Sequence, residues 1–297
     1  GGYGATCVSY PFVGKLEEVG IWNKSLNANE VSNLYLSQAG QFDEPNIIGL
    51  WHLNESTGDA IDSSGHGMDG TVTAAQGASG LWDTNTYTFG LNQKINILHD
   101  SLYDFGTGDS FTFSTWINPT VVPIGTWDGI FYHGIGAENQ IHVGLSSYGT
   151  IGAGTGNGSS WQSHQSDFKL PANKWTHVVV VMNRNTNEMH IYGNGILQNT
   201  YAHSQVPSAT IADIDIGLGA VASEYFNGKI EDVTLWNVPL STKQIQDLYR
   251  KGTSSLDLNI YTCTTSACIT KEDFNYIPDA NNNSWMSISG LSSSYLG

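Results

Sequence analysis

The strongest pattern along the chain is two-residue alternation. In FTFSTWINPT, residues 111–120, Phe111, Phe113, Thr115 and Ile117 fall on one face and Thr112, Ser114, Trp116 and Asn118 on the other. That is the pattern of a strand with one face in a core. Shorter strands are predicted over IIGLWHLNE (47–55), TYTFG (86–90), KINILH (94–99), DGIFYHGI (128–135) and QIHVGLSS (140–147). WTHVVVVMN, 175–183, is the most apolar run, and burial on both faces accounts for it. The turn NRNTNE sends the chain back antiparallel through MHIYGNG, 189–195. IADIDIGLG, 211–219, is a further strand. Two stretches break the pattern: a glycine-rich polar loop, STGDAIDSSGHGMDGTV (56–72), and the least regular part of the chain, 148–173.

Helical periodicity is confined to two short segments, and these belong to a repeat. Phe12 to Tyr35 (FVGKLEEVGIWNKSLNANEVSNLY) returns as Phe226 to Tyr249 (FNGKIEDVTLWNVPLSTKQIQDLY) with 10 identities in 24 positions. In each copy an alternating strand runs into a helix opened by capping-box spacing, Asn27 with Glu30 and Ser241 with Gln244. Gly40 and Gly252 stop the two helices. A repeat at this spacing marks duplicated domains. About a dozen short strands with turns every ~8–12 residues predict an all-β, two-sheet antiparallel sandwich or jelly roll, with one short C-terminal helix per repeat. The expected organisation is residues 1–41 as the last strands and helix of a preceding domain, 42–252 as a complete one, and 253–297 as a linker and the start of a further β-rich module. Residues 1–41 would then either complete a domain in the same longer chain or donate a strand to another chain.

Composition narrows the function. Of 297 residues 13% are charged, with 27 acids against 11 bases and a net charge of −16. Nucleic acid calls for a basic stripe, and an anionic membrane surface for a basic patch, so both are disfavoured as partners. No run approaches the ~18 apolar residues of a membrane span, so no membrane insertion is expected. Of the three cysteines, Cys263 and Cys268 could close a small loop disulfide, and CTTSAC lacks the short hooks of common zinc sites. A disulfide implies an extracellular or cell-surface setting. Sequons stand at Asn23, Asn54, Asn157 and Asn282.

Taken in order, GLWHLNESTGDAIDSSGHGMDGTV, SFTFSTWINPT, NKWTHVVVVMN with IYGNG, and FNGKIEDVTLWNVPLSTKQIQDLY resemble the laminin-G-like, concanavalin A-like jelly-roll domains of secreted proteins. The resemblance covers about 200 residues and is specific for fold rather than function. It implies a two-sheet sandwich, often with one structural calcium, serving as a sugar-binding, adhesion or spacer module. Gly193 stands where a bulky β-former is usual in the family's hairpin, and TYTFGLNQKINILHD lacks the usual Asp-Gly turn.

Candidate chemistry follows from residue types and spacing. Glucanases are relatives of this sandwich, and retaining hydrolysis needs two carboxylates about 5 Å apart. Glu231 and Asp232, like Glu17 and Glu18, are adjacent and would point to opposite faces. No catalytic residues are assigned, and the expectation is a protein that is not an enzyme. Glu231 alternates with Val233 and Leu235, so it would aim at the core and need a partner. Asn54, Asp59 and Asp62 offer oxygens that with Glu231 could hold Ca²⁺. The alternative is a bulge that turns Glu231 to solvent, with Asp62 making an Asx turn. Trp127, Tyr148 and Trp161, with His164 near in sequence, lie in or beside irregular loops and form the candidate ligand site. Otherwise they cover the sandwich ends or meet a neighbouring domain. The expected function is a glycan-binding or adhesion module in a repetitive surface protein, with glycans or neighbouring subunits as partners. A structural spacer or filament subunit is the alternative, and hydrolysis stands last.

Overall fold

A computed structural model describes residues 46–253, apart from 82–84, 136–137, 209 and 222, together with Ser25 and two short strands near the C-terminus. The first copy of the repeat, and with it the predicted elements of residues 1–41, lies outside the described residues.

Among the described residues, fifteen strands and one α-helix belong to the unit that spans Asn27–Gly252. The first sheet has the order β13-β12-β11-β6-β15-β4-β3. Its strands are Ile196–Ala202, Glu188–Gly193, Thr176–Asn183, Phe111–Pro119, Gly228–Trp236, Asn85–Phe89 and Ala75–Ser79, and β1 (Ile47–Trp51) also pairs with β15. The second has the order β10-β9-β8-β7-β14-β5-β2: Trp161–Lys169, Thr150–Gly156, Glu138–Leu145, Asp128–Ile135, Ile214–Ile216, Ile95–Ile97 and Gly70–Val72. Every ladder within them is antiparallel. The all-β sandwich expected from alternation is what forms.

The core lies between the sheets. Phe113 of β6 meets Phe131 of β7 at 4.9 Å between ring centroids, within the range of favourable aromatic pairs. Val178, Val180 and Met182 of β11 enter this core. Val179 and Val181, on its other face, pack with Leu50, Tyr192, Trp236, Leu240 and Ile245 under the helix α1 (Thr242–Thr253). Burial on both faces explains the uninterrupted apolar run of β11. The capping box that predicts α1 is formed: the Ser241 backbone N–H donates to Gln244 Oε1 at 2.9 Å, and the Gln244 N–H donates to Ser241 Oγ at 3.4 Å.

Two expectations are corrected. Residues 148–173 are not irregular; they hold β9 and β10 at the edge of the second sheet. Glu231 does not share a face with Val233 and Leu235, because the register of β15 shifts between Glu231 and Thr234 and Asp232 takes a left-handed φ of 49°. Val233 and Leu235 enter the core. Glu231 lies opposite Trp116, on the face that β6 turns away from it.

In the other unit, Thr262–Cys263 pairs antiparallel with Lys271–Glu272. Cys268 lies outside the described residues. Among the described residues no helix is long and apolar enough to cross a membrane, which says nothing of β-barrels.

Candidate functional site

The outer face of the second sheet carries a group of aromatic side chains outside the core. Register places Asp215 of β14 beside Tyr132 of β7, Tyr132 beside His142 of β8, His142 beside Gly154 of β9, and Gly154 beside Ser163 of β10. The neighbours of these residues along each strand, Phe131, Ile141, Val143 and Ala153, enter the core, so this row points outward. In β9 the outward positions are Gly152, Gly154 and Gly156, which alternate with buried Ile151, Ala153 and Thr155.

Onto that bare strand lean two tryptophans. A Cβ built on Gly152 would lie 2.3 Å from the Trp127 ring, so the indole rests directly on the glycine backbone. His142 lies 5.4 Å from Trp127 and 5.8 Å from Trp161 between ring centroids, and Tyr132 meets it edge-on at 5.9 Å. Both tryptophans are half-buried and His142 is buried. Burial pushes the His142 imidazole down to about 4, so it is neutral at physiological pH, and its Nε2 has no hydrogen-bond partner. At the far end of the row, Lys94 Nζ donates to Asp215 Oδ1 at 2.8 Å, and Asn96 Nδ2 to the same oxygen at 3.0 Å. The arrangement is an aromatic platform on a floor without side chains, continued by polar groups. It can stack a flat apolar face and hydrogen-bond its hydroxyls.

The other two expected ligand residues lie elsewhere. Trp161 pairs with Gly156 and faces outward, so His164, three residues on, faces the other way. His164 stacks on Tyr201 at 4.4 Å and 5°, and its Nε2 lies 3.1 Å from His203 Nδ1. Thr155 Oγ1 in turn meets His203 Nε2 at 2.8 Å, and the Arg184 guanidinium donates to the His203 carbonyl. Burial, and then the neighbouring His164 and Arg184 charges, hold His203 down to about 4. Tyr148 sits in the β8–β9 hairpin, 66% exposed. The loop before Trp127 docks there, with the Gly125 N–H donating to the Ser147 carbonyl at 2.8 Å.

The residues expected to hold calcium are not gathered into one shell. Asp62 Oδ1 accepts the N–H groups of Leu50 (3.1 Å) and Ser64 (2.9 Å), and Oδ2 accepts Ser64 Oγ (2.8 Å) and the Met68 N–H (3.0 Å). The Asx turn is therefore present, inside a wider clamp on the polar loop. Glu231 is 1% exposed, and its two oxygens accept the Leu81 N–H at 3.0 and 3.1 Å. Burial still pushes its carboxyl up to about 7. The bulge is real, but it carries Glu231 to a covered pocket rather than to solvent. Asn54 and Asp59 are exposed on the loop. With donors already on Asp62 and Glu231, these four residues do not fit a common calcium shell.

Carboxylates do meet in one place that the sequence did not indicate. Asp128, next to Trp127, is pushed up to about 6 by burial and by the nearby Glu224 carboxylate. Glu224 Oε2 accepts the Ala220 N–H at 2.8 Å, which ties this side chain to its own loop.

A family model described as the concanavalin A-like lectin/glucanases superfamily matches residues 89–246, more than half of the chain. Adhesion G-protein coupled receptor V1 of Danio rerio is 26% identical over 153 residues, 48% of this chain and 2% of that protein. Two solved structures show the same fold. One is a botulinum neurotoxin type C structure whose cell entry is described as dependent on two ganglioside molecules: TM-score 0.58, 19% identity, 73% of this chain and 54% of that one. The other is domain 4 of AbnA, an extracellular GH43 arabinanase from Geobacillus stearothermophilus, in complex with arabinotriose: TM-score 0.54, 18% identity, 69% of this chain and 98% of that one.

Proposed function

The chain belongs to the concanavalin A-like lectin/glucanase superfamily, and we propose that it is a non-catalytic extracellular module that binds glycans on the outer face of its second sheet. The observation that carries this is the Trp127–His142–Trp161 cluster lying over the glycine positions of β9. A pyranose or furanose ring presents C–H groups on one face and hydroxyls around its rim. An indole held rigidly by packing offers the first a partner at small entropic cost. Gly152 leaves room for the Trp127 ring against β9, and Ser163, exposed along the row, supplies a polar group for the rim. Ganglioside and arabinotriose, named with the two neighbouring structures, are glycan ligands of proteins with this fold and agree with the reading. Likeness to an adhesion receptor agrees with a surface setting.

A hydrolytic reading would rest on Asp128 and Glu224. Glu224 Oε2 accepts the Ala220 N–H and burial raises its carboxyl, and an assay for released reducing ends separates this reading from binding. A spacer reading rests on the repeated segment of the sequence.

The test is a glycan array followed by calorimetry on the best binder. Trp161→Ala and Gly152→Val, the latter placing carbon where the Trp127 ring lies, should each weaken binding at least tenfold, about 1.4 kcal/mol, with the circular dichroism spectrum unchanged. Native affinity retained in both variants, absence of any glycan binding, or release of reducing ends from bound glycan would overturn the proposal.

A further inference from the structure

A second cluster of ring nitrogens and carboxylate oxygens lies on the opposite side of β7. His133 follows Tyr132, so it faces inward, in register with Ile214 of β14 and then Ile97 of β5. It is 1% exposed, among apolar neighbours. Just past β5 the chain places His99, then a single 3-10 turn, Ser101–Tyr103, opened by the Asp100 carboxylate accepting the Leu102 N–H and closed by Asp104. The turn brings His99 and Asp104 back beside His133.

Their polar atoms are left over. His99 Nε2, Asp104 Oδ1 and both ring nitrogens of His133 are buried, and none has a partner in hydrogen-bond geometry. Buried polar atoms without partners are rare and costly. Four on three touching side chains call for a common explanation. The carbonyls of Ala212 and Tyr103 lie near enough to His133 to act on its charge, without completing a hydrogen bond.

We propose that His99, Asp104 and His133 bind one divalent transition-metal ion of the zinc class. One ligand atom from each side chain lies within 4.8 Å of the others. His99 Nε2 and Asp104 Oδ2 are 3.5 Å apart. That is long for a hydrogen bond between them. It is close to the edge, about 3.4 Å, of a tetrahedron with ligand bonds of ~2.1 Å. Small side-chain rotations would close the remaining gap. Two imidazoles and one carboxylate suit zinc, copper or nickel rather than calcium, which takes six to eight oxygens.

Asp213 Oδ1 accepts the His99 backbone N–H at 3.0 Å and so fixes the segment that carries the first ligand. The carbonyl of Ala212 or of Tyr103 would take the N–H of the His133 nitrogen that does not ligate. This is the usual outer-sphere support of a metal-bound imidazole. Three protein ligands leave a fourth position for water. The ion would tie the loop after β5 to the middle of β7, so it would act on stability. Because Tyr132 and His133 point to opposite faces, this site does not depend on the glycan-binding reading.

The full chain, stripped with chelator, is titrated with ZnCl₂ by calorimetry and with CoCl₂ by visible absorption. The expected result is one ion per chain, a rise in Tm that EDTA reverses, and the visible bands of four-coordinate cobalt. His99→Gln and Asp104→Asn are made at half-buried positions where a polar substitute fits, and each should weaken binding tenfold or more without lowering the Tm of the metal-free chain. His133→Gln should do the same to binding. Absence of stoichiometric binding, or binding that all three variants retain unchanged, would overturn the assignment.

Discussion

Glu231→Gln should abolish a pH dependence of stability that the buried carboxyl imposes. The carboxyl is 1% exposed, and burial pushes it from its ordinary 4.5 to about 7. Between those values the folded chain keeps a proton that the unfolded chain has released. Stability therefore falls as pH rises through this window and levels off above about 7. The full effect is roughly 3.4 kcal/mol, of which about 2.5 kcal/mol falls between pH 5 and pH 8. Gln resembles the protonated acid: its carbonyl oxygen can still accept the Leu81 N–H. Urea denaturation of the two proteins from pH 5 to 8 isolates the term, because every other titrating group is common to both. The variant's advantage over the native chain should grow by about 2.5 kcal/mol between pH 5 and pH 8. Parallel curves would refute the argument. A native chain that gains on the variant as pH rises would mean that the carboxylate is ionised beside a cation, and calcium added at pH 8 would then widen the gap.

Asp62→Ala leaves the N–H groups of Leu50, Ser64 and Met68 without their acceptor, and Leu50 is buried. A loss of about 3 kcal/mol is expected by thermal or urea denaturation. Asp62→Asn, which keeps one oxygen, should lose less. Ser241→Ala removes the hydroxyl that caps α1 and should cost about 1 kcal/mol. The loss should show as faster amide exchange in Ile245 and its neighbours, which pack the helix on the first sheet; unchanged exchange would refute it.

The parts of the fold that could be read from sequence are those where one face differs from the other. β6 alternates, β11 is apolar throughout because both its faces are covered, and α1 announces its cap. β9 and β10 escaped because their outward positions carry a different signal. TIGAGTG has glycine where polar side chains would mark the solvent face, and β10, at the sheet edge, is polar on both faces. Ranking aromatics by their loop position singles out Trp127 and Trp161, which both meet His142 on the outward face. It also brought in His164, which strand alternation sends to the opposite face, and Tyr148, which stands apart in an exposed turn. His142 was missed, although QIHVGL alternates and places it outward. The pairing that puts it between two tryptophans is a property of the sheet and is absent from any local window. The same holds for His99, Asp104 and His133: the first two are close in sequence, but only the β5-β14-β7 order brings the third to them.

The acidic pair of β15, in which Glu231 was the expected metal ligand, is accounted for by the sheet. β15 must serve two partners on one edge: Gly228–Ile230 pairs with β4, and Val233–Trp236 pairs with β1. Glu231 and Asp232 fall in the gap between those ladders, where no strand is present to satisfy them. Asp232 absorbs the extra residue in a left-handed conformation and pins β1 through His52 Nδ1 at 2.7 Å. Glu231 reaches out to the Leu81 N–H, in the connection between β3 and β4. The two carboxylates thus close a junction in the first sheet, at the cost of holding one of them where it prefers its proton. A bulge in a strand that pairs with three others moves each later residue by one position relative to the alternation. That is why reading Glu231 with Val233 and Leu235 aimed it at the core, while the chain keeps it on the other face and still buries it.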